Sequence, residues 1–362
     1  MVLHGENGSG KTNLLEAVYV LASLRSFRDA RPARWVREGA AATVIEGQVL
    51  GATGARALSY KQVDGERVLS MDGGLASLNA WFDTLRAILF CPEQVNVIRG
   101  EPEGRRRLLD RAVFTARPAF LDLARDYKRV VAQRGALLRS GRPPGPELET
   151  WDERLVNLGA AVMLRRHELV GELRAPLKSA VKLISGGETV DLRLRSAGGE
   201  EDGEEAVRRR LREALVKARA DELRVGSVLV GPHRDDLEIM IDGRSARRFA
   251  SQGQARTVAL ALKLGELEAA RIRGQSPLFL LDDLTSELDV GRRGRLLSHL
   301  LSLESQVWVT TTEASYLGPL PEAAARRFRI TADAVLREAH PSAPEAESGG
   351  AESPDQLGPK SA

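Results

Sequence analysis

Eight residues near the start of the chain constrain it more than any other stretch: Gly5-Glu6-Asn7-Gly8-Ser9-Gly10-Lys11-Thr12. They fit G-x-x-x-x-G-K-[ST], the spacing of a phosphate-binding loop. Its glycines let the backbone curl until successive N–H groups face an anion. Lys11 can then reach the outer phosphates of a nucleotide, and the Thr12 hydroxyl is a ligand for Mg²⁺. Asn13 to Leu21 is apolar at helical spacing, so a helix starting at the loop aims its positive end at the phosphates. A chance glycine turn before a helix is the plain alternative. Such a loop normally follows a buried strand, and only Val2 and Leu3 are apolar ahead of it. The reading therefore predicts a missing strand and a true start upstream.

Further on, the chain alternates between strand-like and helical pattern, which gives an α/β protein. Thr43–Leu50, Ala57–Val63 and Arg67–Met71 alternate as a small antiparallel sheet, and Leu85–Phe90 reads as a buried strand. Helical blocks over Arg105–Arg139, Leu148–Leu183 and Glu204–Leu223 follow, with a short strand at Val190–Leu194 between the last two. Strand pattern returns at Val228–Val230 and Leu237–Ile241, then a helix over Thr257–Ala270. Leu278–Leu281 is an unbroken apolar run, as in a parallel strand buried on both faces. A helix over Arg292–Leu303 and strands at Val307–Val309 and Phe328–Ile330 complete the pattern.

Composition excludes several classes. Cys91 is the only cysteine, so there is no internal disulfide and no thiolate metal site. The five histidines are scattered, without metal-ligand spacing. No apolar run reaches the length of a membrane span. A reducing cytoplasm, without a membrane partner, is the expected setting. Lys and Arg number 53 against 50 Asp and Glu, so net charge alone does not announce nucleic acid.

Two further segments carry chemistry. Asp282 and Asp283 end the Leu278–Leu281 run, where a parallel strand brings carboxylates to the sheet edge beside the loop. Asp282 is expected to hold Mg²⁺, and Asp283 to orient or deprotonate the attacking water. Ser251-Gln252-Gly253-Gln254 precedes the Thr257 helix and reads either as a second anion site or as an N-capping serine. Gln94 stands near where ABC-type heads, which the order of these segments resembles, use a glutamine to sense the γ-phosphate or metal; a surface glutamine is the alternative.

These segments, in this order, resemble the bacterial RecF family of DNA replication and repair proteins. The resemblance rests on Gly5–Glu16, Pro92-Glu93 through Arg105–Asp110, Gly231–Asp236, Ser251–Gln254, Asp282-Asp283 through Ser286-Glu287-Leu288-Asp289, and Thr310-Thr311-Thr312. It covers roughly residues 1–337. It implies an ABC/SMC-like P-loop ATPase head, residues 1–90 and 226–338, with an inserted helical arm domain, 91–225, and a disordered tail, 339–362. In such heads two copies sandwich ATP. Gly5, Glu6, Asn7, Gly8, Ser9, Gly10, Lys11 and Thr12 of one copy would face Ser251, Gln252, Gly253, Gln254 and Asp289 of the other. Lys11 and Asp283 would be catalytic, and Thr12 and Asp282 would hold the metal. The implied partners are double-stranded and gapped DNA, RecO and RecR, in aid of RecA loading, at the nucleoid. Arg105, Arg106 and Arg107 are candidate duplex contacts, beside the Arg25–Arg37 group and the 208–219 helix; a solvated or paired surface is the alternative for each.

Departures from the family pattern include the absent aromatic-Arg strand near the adenine, and Glu101 and Leu108 in place of small and aromatic residues. Asp283 stands where transporters carry glutamate, and Thr312 or a neighbour where they carry histidine, which together imply slow hydrolysis. An ABC transporter subunit and a small-molecule P-loop kinase are the rival readings. The large helical arm and the missing histidine count against the first, and the Ser251–Gln254 segment against the second.

Overall fold

The computed structural model describes residues 1–337 except 52–53, 64, 142–144, 186, 200–202, 285–287, 304, 322–324 and 332–334. The 339–362 tail, and Ser286 and Glu287, lie outside the described residues.

Among the described residues the main sheet has six strands, and the short apolar start of the chain lies inside it. Strand β1, Val2–His4, is followed by the loop and helix α1, Lys11–Ser23. A long hairpin, β2 Ala42–Gly51 and β3 Gly54–Val63, continues into β4 Glu66–Met71 and β5 Gly74–Leu75 as a separate antiparallel sheet. Helix α2, Leu78–Thr84, is capped by Ser77 and leads to β6, Ala87–Phe90. Then come α3 Val95–Arg99, α4 Pro102–Ala116, α5 Phe120–Arg139 and α6 Pro146–Ile184. Strand β7 Val190–Arg195 and helix α7 Glu204–Val225 precede β8 Asp236–Ile241, β9 Arg244–Ser245, α8 Ala246–Phe249 and α9 Gln252–Ile272. Strand β10 Leu278–Leu281, the helix Val290–Ser302, and strands β11 Val307–Thr311, β12 Arg327–Ile330 and β13 Val335–Arg337 close the described chain.

The order of the main sheet is β13-β12-β1-β11-β10-β6, parallel except for the edge strand β13. A strand does precede the loop: Val2–His4 is held by ladders on both sides, Leu3 opposite Thr310 and Phe328. Every residue of β10 is buried, as an unbroken apolar run requires in a sheet covered on both faces. The register sets Leu281 opposite Phe90 on one side and Val309 on the other. The next residue of β10's chain, Asp282, thus emerges at the same edge as the phosphate loop.

Residues 91–225, expected as an arm, fold together with the residues that follow them. Strand β7, from the 91–225 stretch, pairs antiparallel with β8, which lies outside it. One apolar core runs from Val2 and Phe279 through Leu260 of α9 to Leu155 of α6 and Leu192 of β7. Burial of such side chains stabilises by roughly 1.5–3 kcal/mol each.

Two expectations need correction. Val228–Val230 is not a strand: the Leu229 N–H is taken by the Glu222 carboxylate, 2.8 Å away, instead of a ladder carbonyl. The Thr257 helix begins earlier, at Gln252, because Ser251 and Gln254 form a reciprocal capping box.

Candidate nucleotide site

Gly5, Gly8 and Gly10 of the loop have φ of 151°, 82° and 100°, values that favour glycine. At Gly5 a Cβ would lie 2.2 Å from the Ile330 carbonyl oxygen, so the loop starts in backbone contact with β12. Gly10 is the N-cap residue of α1 and leads straight into Lys11. The Lys11 ammonium is folded back on the loop, donating to the carbonyls of Gly5 and Glu6 at 2.7 Å each. Desolvation lowers its pKa, against the opposing pull of Asp283 and Asp282.

Opposite the loop, the Asp282 carboxylate is buried, with 6% exposure. Its Oδ1 accepts from the Thr12 hydroxyl at 3.1 Å and from the Thr310 hydroxyl at 2.7 Å. Burial raises its pKa, and the two hydroxyl contacts work against that shift. Asp283 follows with φ of 48°, a left-handed conformation that costs about 1 kcal/mol in a residue with a side chain. Its N–H donates to Thr310 Oγ1 at 2.8 Å. A cavity of about 340 Å³ lies among Lys11, Thr12, Asp282, Asp283, Arg28 and Thr312. Thr12 Oγ1 and Asp282 Oδ1 are hard oxygen donors side by side, a pair suited to Mg²⁺. Gln94 is 8% exposed, and its Oε1 is buried without a hydrogen-bond partner among the described residues. It is not a surface glutamine.

The other expected residues stand apart from this cavity. Ser251, Gln252 and Gly253 are exposed at the start of α9, and none lines it. Ser251 Oγ accepts from the Gln254 N–H at 3.1 Å, while Gln254 Oε1 accepts from the Ser251 N–H at 2.9 Å. The capping reading of this serine is thus realised. Asp289 caps the Val290–Ser302 helix through the Arg292 N–H, 2.9 Å away. That hydrogen bond lowers its pKa. Arg292 in turn donates to Thr257 of α9 at 2.9 Å, so the Ser251 and Asp289 segments are braced on one another.

The arginines divide. Arg105, expected among the duplex contacts, is 2% exposed and forks onto both Asp236 oxygens at 2.8 and 2.9 Å, with the Gly100 carbonyl as a third acceptor. A guanidinium so enclosed is a structural clamp, and Arg105 is not a phosphate contact. Arg106 donates to the Asp235 carbonyl at 2.7 Å, and Arg107 is exposed beside Glu103. Two residues at the cavity carry roles that the sequence did not assign. Arg28, within the Arg25–Arg37 group expected among the duplex contacts, lines it and donates to Asn13 at 2.6 Å, and no motif marks it as a cavity residue. Thr310 touches both aspartate segments. Thr310-Thr311-Thr312 flagged the region, but only strand register shows which threonine faces Asp282.

A family model described as RecF/RecN/SMC N terminal domain matches residues 1–331. The chain is 43% identical over 325 residues to the DNA replication and repair protein RecF of Anaeromyxobacter sp. (strain Fw109-5), covering 88% of this chain and 87% of that one. It is 37% identical over 320 residues to the RecF of Geobacter sulfurreducens, with 87% of each covered. Among solved structures it is similar to the recombination mediator protein RecF-ATP in the RecFOR pathway, with a TM-score of 0.84, 29% identity, and 93% and 91% of the two chains covered. An Smc head bound to the C-winged helix domain of ScpA shares the fold, with a TM-score of 0.52, 15% identity, and 93% and 88% covered.

Proposed function

Because this chain belongs to the RecF family of DNA replication and repair proteins, sharing the RecF/RecN/SMC N-terminal head, we propose that it is an ATP-gated clamp on duplex DNA. One observation carries the reading. Asn7, Gly8, Gly10, Lys11 and Thr12 of the loop and the strand-end aspartates surround one cavity, while Ser251 and Asp289 line none of it. Each copy thus holds half of a composite nucleotide site, and a second copy supplies Ser251, Gln252, Gly253, Gln254 and Asp289. The γ-phosphate bridges the halves, so ATP closes the dimer and hydrolysis releases it.

Within one half, the loop N–H groups and the α1 N-terminus cradle the phosphates. Lys11 leaves the Gly5 and Glu6 carbonyls for the β- and γ-phosphate oxygens. Mg²⁺, held by Thr12 and Asp282, would neutralise charge between those phosphates. Asp283 orients the attacking water and accepts its proton. Hydrolysis is slow, since the base is a short aspartate and threonines line the cavity on the β11 side. The closed dimer grips double-stranded and gapped DNA through exposed basic side chains, and acts with RecO and RecR to assist RecA loading. The head and arm division, 1–90 with 226–338 and 91–225, belongs to this proposal. The transporter reading has no observation in its favour, and among the described residues no helix is long and apolar enough to cross a membrane.

Sedimentation of the wild type and Lys11→Met, with and without ATP and gapped duplex, tests the reading. The wild type is expected to dimerise only with ATP and to bind the duplex as a dimer. Lys11→Met should stay monomeric, its nucleotide affinity falling by about a hundredfold with the loss of a charge-assisted contact. Equal dimerisation of both proteins without ATP would end the gating scheme.

A further inference from the structure

We propose that Thr310 is the positioning residue that sets both strand-end carboxylates for hydrolysis. The inference rests on the role given above to Asp283. Thr310 is 1% exposed on β11, and the Leu281–Val309 pairing continues one residue to bring it alongside Asp282. Its single hydroxyl is used twice. The O–H donates to Asp282 Oδ1 at 2.7 Å, and the oxygen accepts from the Asp283 N–H at 2.8 Å.

These two contacts fix different things. The first turns the Asp282 carboxylate so that the oxygen bound by Thr310 is also the one reached by the Thr12 hydroxyl. The second pins the backbone of Asp283 in its left-handed turn, where φ is 48°. A left-handed aspartate departs from the β10 direction, so its carboxyl is aimed by the turn. Without a partner, the Asp283 amide would have reason to relax toward the ordinary extended region and carry the carboxyl with it. Threonine suits the task because a β-branched side chain on a strand has few χ1 choices. Its neighbour Thr311 uses its hydroxyl elsewhere, on the Glu313 carbonyl at 3.0 Å.

The test compares Thr310→Val, which keeps the shape and removes the hydroxyl, with Thr310→Ser, which keeps the hydroxyl, and with Asp283→Asn. Binding of a fluorescent ATP analogue, single-turnover hydrolysis and the lifetime of the ATP-bound dimer are read for each. Thr310→Val is expected to bind the analogue within about twofold of wild type and to hydrolyse about ten- to a hundredfold more slowly, the scale of a misplaced catalytic group. Its dimer should last correspondingly longer, like that of Asp283→Asn. Thr310→Ser should stay near wild type. The double variant Thr310→Val/Asp283→Asn should lose less than the product of the two single losses, because the part of the Thr310 effect that runs through Asp283 is already gone. If Thr310→Val misfolds, Thr310→Ala replaces it in the same comparison. Wild-type hydrolysis by Thr310→Val beside a slow Asp283→Asn would overturn this inference alone. So would Thr310→Ser failing as badly as Val, or fully multiplicative losses in the double variant. Wild-type hydrolysis by Asp283→Asn would overturn the role of Asp283 together with it.

Discussion

The two edges of the proposed nucleotide site are built on opposite plans. At the phosphate-loop edge, strands β1, β10 and β11 end together, and their side chains satisfy one another across the gap. Thr12 and Asp282, 270 residues apart in sequence, share a hydrogen bond there. At the Ser251 edge the capping contacts are local: serine with a residue three positions on, and Asp289 with Arg292. The first edge is made by the fold and is half-closed already. The second is an exposed helix start, steadied from behind. The difference teaches that a site completed by a second copy, as proposed, would have an outward half whose capping acceptors are already engaged in the free chain.

That steadying frame is where the comparison breaks most easily. Arg105 ties the turn at Gly100 to Asp236 at the head of β8, and β8 leads through α8 to Ser251. Arg105→Ala removes a buried ionic clamp and should cost about 3 kcal/mol of unfolding free energy in a urea titration. Arg107→Ala, at an exposed pair, should stay within about 0.5 kcal/mol. Similar losses for the two would mean that the frame does not bear on the fold.

A second measurement sharpens the same contrast by pH. Asp235 lies beside Asp236, 1% exposed, and burial pushes its pKa up to about 7 against the attraction of Arg166. The native state therefore keeps a proton that the unfolded chain has released. Stability from this group is full below the ordinary carboxylate range and is lost as pH rises toward about 7. Asp235→Asn should remove that decline, so its melting temperature gains on the wild type between about pH 4 and pH 7. Parallel curves for the two proteins would refute the assignment.

The smallest effect belongs to the outward edge itself. Ser251→Ala loses one cap and should cost about 1 kcal/mol in stability. ATP binding by the single chain should be untouched, because Ser251 lines no part of the cavity, while ATP-driven dimerisation weakens. Impaired nucleotide binding by the free chain would remove the distinction between the edges.

What could be seen in the sequence follows the same division. The loop, the β10 run and Asp282 are local patterns, legible because backbone shape and burial act on neighbouring residues. The Ser251 cap was legible for that reason too, although the helix it starts was placed at Thr257. The fate of Arg105 was not: an Arg-Arg-Arg run reads as a basic surface, and its partner Asp236 lies 131 residues away. Thr310 was visible only as one of three adjacent threonines, since strand register decides which one meets Asp282. Val228–Val230 reads as a strand from sequence because three apolar residues look alike in a strand and in a segment pinned by a buried glutamate.

The capping serine has one more consequence. Its oxygen is engaged as an acceptor by the Gln254 N–H, yet a hydroxyl also carries a proton of its own. The helix start can therefore stay knotted while the same atom offers that proton to an incoming triphosphate. Aspartate would tie the knot equally well but greet the anion with like charge, and alanine could do neither. In the proposed dimer, serine at 251 would let one oxygen face inward to its own helix and outward to a visitor at the same moment.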